Sequence, residues 1–113
     1  MNVITQQKAA EFLQIPESDI NDIILNFRGD FDYPGLLITD EVGGYNFTPM
    51  GFLWLGAFSL TSKFGPVFRS YMSELLTLAM QDRNVTIDRI FTTIKYRHLK
   101  LINGGEYDKD QRL

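Results

Sequence analysis

The chain has 113 residues, 44% of them hydrophobic and 13% aromatic, with a net charge of −3 and no cysteine. That length fits one domain able to bury about 65% of its unfolded surface, and the lack of cysteine excludes disulfides, thiolate metal sites and a cysteine nucleophile. Charged residues make up 22% and no stretch is low in complexity, which excludes disorder except at the two ends.

The first residues, MNVITQQKAAEF, lack the basic start, apolar run and small-residue cleavage site of a secretory signal. A cytoplasmic protein is expected. Thr5 is placed to cap a first helix with Ala9, Ala10, Phe12 and Leu13 on one side and Gln6, Gln7, Lys8 and Glu11 on the other, ending near Ile15. Pro16 stops it and pre-sets the first turn of a second helix, which starts at Glu17 or Ser18 and carries Ile20, Ile23, Ile24 and Phe27 at amphipathic spacing. Two short helices this close, with an Ala-Ala pair in the first, suit a helix-turn-helix. A plain helical hairpin has the same pattern.

From Arg28 to Gly35 the sequence RGDFDYPG reads as a loop. LLIT (Leu36 to Thr39) and YNFT (Tyr45 to Thr48) then flank Gly43 and Gly44, which predicts a small hairpin, or wing. Thr48 as cap and Pro49 at the first helical position open the next helix. Its apolar residues, Met50 to Leu60, surround the axis, so it is expected to be buried on most sides. The unbroken apolar run from Phe52 to Phe58 is far short of the roughly 20 residues that cross a bilayer, and no membrane segment is expected.

A further start at TSKFGP (Thr61 to Pro66) leads into an amphipathic helix reaching Gln81, with Val67, Phe68, Tyr71, Met72, Leu75, Leu76, Leu78 and Ala79 inward. The segment Val85 to Gly105 places Ile87, Ile90, Phe91, Ile94, Leu101 and Ile102 near helical spacing, with Asn103 and Gly104 as a C-cap. Its many β-branched residues also suit a strand, but without alternation it reads as helix. The fold class is α+β and mainly helical: a helix-turn-helix with a β-hairpin wing followed by two or three packed helices, over residues 1–105. Residues 106–113 read as a solvated tail.

Chemistry is sparse. The one histidine, His98, lies among Lys95, Arg97 and Lys100 and offers neither a metal cluster nor a catalytic triad. Asp30 and Asp32, near Asp40 and Glu41, lack the remaining positions of a calcium loop. Neither Gly43-Gly44 nor Gly104-Gly105 matches a phosphate-binding spacing. No cofactor, metal or enzymatic activity is expected.

Charge is divided unevenly along the chain. Residues 1 to 50 hold two basic against eight acidic side chains, a net −6, and residues 51 to 113 hold nine against six, a net +3. A helix that reads DNA normally carries a basic footprint, whereas the second helix begins with Asp19 and Asp22.

The order of elements resembles small phage regulatory proteins of the Rha and antirepressor type. The residues that carry the likeness are YNFTPMGFLWLGAFSLTSKFGPVFRSYMSELL, Tyr45 to Leu76, and ITQQKAAEFLQI, Ile4 to Ile15. Where that family usually has basic residues and histidine after the first helix, this chain has PESDINDI. The resemblance implies a phage or mobile-element regulator of transcription that binds DNA. Lys8, Arg28, Arg83, Arg89, Lys95, Arg97 and Lys100 would then neutralise phosphates, and Asn21 and Asn26 would meet base edges. The alternative is an acidic protein-binding module, an inhibitor or antirepressor covering a partner's basic nucleic-acid-binding surface. It would use Glu17, Asp19, Asp22, Asp30, Asp32, Asp40 and Glu41. Either reading allows a homodimer that buries Phe52, Trp54, Phe58 or Phe64 between protomers.

Overall fold

The computed structural model of the chain describes residues 3–31, 35–39, 41–81 and 87–102. Arg83, Asp32 and Asp40, the Asn103-Gly104 cap and the tail lie outside them. Among the described residues the fold is mainly helical, with a small three-stranded antiparallel sheet. None of their helices is long and apolar enough to cross a membrane.

A two-residue strand, β1 (Ile4–Thr5), runs directly into α1 (Gln6–Leu13), where the Thr5 hydroxyl accepts from the Lys8 amide at 3.1 Å. The helix ends before Ile15, because Gln14 turns left-handed (φ 60°, ψ 45°). The Gln14 and Ile15 amides fold back onto the carbonyls of Glu11 and Ala10, at 3.3 and 3.1 Å, and buried Ile15 closes the turn. Pro16 then leads into α2 (Glu17–Asn26), whose Ile20, Ile23 and Ile24 are buried.

The loop reading of Arg28 to Gly35 is corrected at its start, where Arg28–Phe31 form one helical turn, α3. Glycine and aspartate signal a loop, but Phe31 is only 2% exposed and holds the turn against the core. Its ring meets Phe47 and Phe58 edge-on, with centroids 6.5 and 5.9 Å apart.

The expected hairpin is present as β2 (Leu37–Thr39) and β3 (Tyr45–Phe47), paired through Leu37 to Phe47, Ile38 to Asn46 and Thr39 to Tyr45. Gly43 takes the positive φ, +83°, that such a connection needs. The hairpin does not stand apart, since β1 adds to the other edge of β3 through Ile4 and Phe47, both fully buried.

Thr48 caps α4 (Pro49–Phe58) as its sequence predicts, accepting from the Gly51 amide at 3.1 Å, while its own hydroxyl donates to the Gly35 carbonyl. Gly51 passes so close to the Leu36 carbonyl that a Cβ there would overlap it, and a Cβ at Gly56 would strike the ring of Phe68. These contacts are why α4 carries glycines within an otherwise bulky apolar run. Arg69 ends α4 by donating from Nη1 to the carbonyls of Ala57 and Ser59, both at 3.0 Å. Buried Ser62 ties the following turn to α1, donating to the Leu13 carbonyl at 2.8 Å.

The helix expected up to Gln81 is divided at Tyr71 (φ −116°, ψ 22°) into α5 (Gly65–Ser70) and α6 (Met72–Gln81). α7 (Ile87–Ile102) is helical as its apolar spacing predicts. Thr92 and Thr93 accommodate the helix by donating to the carbonyls of Asp88 and Arg89, each at 2.8 Å. Phe12 of α1 reaches the far end of the chain, stacking on Phe91 with centroids 4.2 Å apart and on Phe64 at 5.0 Å.

Candidate interaction surfaces

The residues expected to contact DNA fall on two separate groups of elements. Asn21, Asn26 and Arg28 belong to α2 and α3 and are exposed. The Asn21 carbonyl already accepts from Gln6 Nε2 at 2.8 Å, which ties it to α1. Exposed Glu17 and Asp22 share α2 with them. Lys8 lies one turn before Phe12 on α1, and Lys95 of α7 stands 5.8 Å from the centroid of the Phe12 ring. Arg89 is exposed and Lys100 half-buried on the same helix.

Arg97 is committed within the chain. Its Nε and Nη2 donate to Glu74 Oε1 at 3.0 and 2.9 Å, and its guanidinium lies 5.2 Å from the Tyr71 ring centroid and 5.6 Å from that of Tyr96. The hydrogen bond to Glu74 raises its already high pKa. His98 is edge-on to Phe64 at 4.8 Å. Burial, and then the charge of Lys63, lower its pKa below the ordinary imidazole value of 6.5.

Of the acidic residues, Asp19 and Asp22 lie together on α2 and line one cavity. Asp19 accepts from the Thr61 hydroxyl at 3.1 Å, which joins α2 to the residues that leave α4. Beside this bond a cavity of about 190 Å³ is lined by Asp19, Asp22, Asn26, Phe27, Phe58 and Leu60, among others. Its apolar wall is the Phe27 and Phe58 pair, stacked 4.2 Å apart and within 4° of parallel. Leu60 is 88% exposed at the rim, an apolar side chain open to solvent next to two carboxylates. A second cavity, of about 370 Å³, is lined by Gly29, Asp30, Leu36, Met50 and Trp54. Glu41 is exposed in the β2–β3 connection and lines neither cavity.

The aromatic surface expected to bury a second copy is mostly used inside the chain. Phe52 is fully buried and Phe64 is 5% exposed, so both are corrected to core residues. Phe58 is stacked on Phe27, and Trp54 is half-buried. Sequence reasoning named the carboxylates but missed Phe27, Leu60 and Thr61 as their neighbours. One local signal existed: Leu60 follows the end of an apolar helix with Thr61 and Ser62 beside it, which marks an apolar residue in a turn.

No group of three or more His, Asp or Glu side chains among the described residues is placed to hold a metal. Comparison with protein-family models, with curated proteins and with solved structures finds no match for this chain.

Proposed function

We propose that this protein is a protein-binding module that receives a basic, partly apolar segment of a partner in the groove between α2 and the end of α4. The observation that carries this reading is that Asp19, Asp22 and Asn26 line one cavity with the Phe27–Phe58 stack and exposed Leu60. Apolar contact supplies affinity there, and the two carboxylates select cationic residues and speed encounter. A segment that binds phosphates on nucleic acid has the charge this groove requires, which fits an inhibitor or antirepressor. The same carboxylates would repel phosphates if α2 lay on a duplex.

The test is a capture experiment with a charge-reversed control. The wild-type chain, immobilised, is expected to retain a basic protein from lysate, and Asp19→Lys with Asp22→Lys should reduce that capture at least about ten-fold while the circular dichroism spectrum is kept. Equal capture by both proteins would remove the groove from consideration.

The DNA-binding regulator is the second reading. It is favoured by the short turn between α1 and α2, by Lys8 one turn before Phe12 on α1, and by Lys95 over the Phe12 ring. It requires duplex affinity that falls steeply with added salt and weakens in Lys95→Ala and Lys100→Ala. Absence of duplex binding at low salt would end it.

A further inference from the structure

We infer that the cavity between α3, the start of β2 and the first half of α4 binds a small organic cation, an ammonium or guanidinium group on an apolar stem. This site is independent of the partner groove, since it uses neither Asp19 nor Asp22. Its volume of about 370 Å³ falls within the range of roughly 300 to 1,000 Å³ common to small-ligand sites. Among the described residues that line it, Leu36, Met50 and Trp54 are apolar and Asp30 is the one that carries charge.

That composition selects for charge. A tryptophan ring is the best aromatic partner for a cation, and Asp30, an exposed residue lining the same cavity, offers a positive head the opposite charge. A ligand with a positive head and an apolar stem answers both; a neutral ligand meets only the wall, and an anion is repelled. Among the described residues that line the cavity, none is a cation. Arg28 and Asp30 are two positions apart, which sets them on different sides of a helical turn, and no ion pair or hydrogen bond engages the Asp30 carboxylate among the described residues. The space beside Gly29 is open, with no described atom within 4 Å of the place a Cβ would occupy.

Trp54 is the single tryptophan of the chain, so its fluorescence reports on this cavity alone. Titration with pentylammonium and with butylguanidinium should give a saturable change, and pentanol should bind at least about ten-fold more weakly. Pentanoate should give no response. Asp30→Asn should lower pentylammonium affinity about ten-fold without changing that of pentanol, and Asp30→Glu should restore it. Trp54→Phe, followed by calorimetry, should weaken both cations. N-acetyl-lysine amide and N-acetyl-arginine amide identify the source: binding equal to that of the free amines means the head arrives on a polypeptide side chain, and exclusion means a free amine. Equal affinity for pentanol and pentylammonium in the wild-type chain would overturn the inference, as would no saturable response or unchanged affinity in Asp30→Asn. The wild-type contrast needs no variant to fold.

Discussion

His98 shows how much of a residue's behaviour is set by what covers it. It is the single histidine of the chain, and its pKa is lowered first by burial against its surroundings and then by the charge of Lys63. The folded state thus favours the neutral ring, and as pH falls the unfolded chain binds a proton first. The stability tied to this group is present above the ordinary value of 6.5 and is lost as pH falls through 6.5 toward the folded-state value. Thermal unfolding should therefore occur at lower temperature at about pH 5.5 than at about pH 7.5, and His98→Gln should flatten that difference. In proton NMR the lone imidazole should titrate below 6.5, and Lys63→Met should move its midpoint upward. A midpoint at or above the ordinary value would show that the ring is neither buried nor near Lys63. Arg97, by contrast, is held by an ion pair with 24% and 41% side-chain exposure. Pairs so open to solvent are worth at most about 1 kcal/mol, so Arg97 matters more for orienting α7 against α6 than for stability.

At the scale of elements, α4 depends on its first residue. Thr48 satisfies the Gly51 amide and also reaches the Gly35 carbonyl, so it joins the helix start to the chain entering β2. Thr48→Ala should cost about 1 to 2 kcal/mol in urea unfolding, and Thr48→Ser should recover most of it; an unchanged midpoint in the alanine variant would count against the double role. Such caps are local, which is why Thr5, Thr48 with Pro49, and the Gly43 turn could all be read from neighbouring letters. Elements held by distant partners could not. Four residues are too few to form a helix unaided, and α3 exists because Phe31 is seated on Phe47 and Phe58. β1 is a strand because β3 lies beside it. The groove was half legible: the carboxylates of α2 are plain in the sequence, but Asp19 and Thr61 meet across 42 positions, and no local pattern records that encounter.

On the scale of the whole molecule, Phe12 binds the beginning of the chain to its end. It touches Phe52, Phe64 and Phe91, with centroids 5.7, 5.0 and 4.2 Å away, so α1, α4, α7 and the turn before α5 share one aromatic cluster. Phe12→Ala should cost about 3 kcal/mol, with Trp54 fluorescence and far-ultraviolet circular dichroism changing together on denaturation, as in a single cooperative unit. Separate transitions would mean that α7 unfolds by itself. The close approach of α4 to its neighbours has a consequence for inheritance. Gly51 cannot gain a side chain without displacing the Leu36 backbone, and Gly56 cannot without displacing Phe68. Descendants of this sequence are free to exchange most surface letters but not these, and the spacing Thr-Pro-x-Gly-x-x-x-x-Gly should survive in genomes after overall identity has faded.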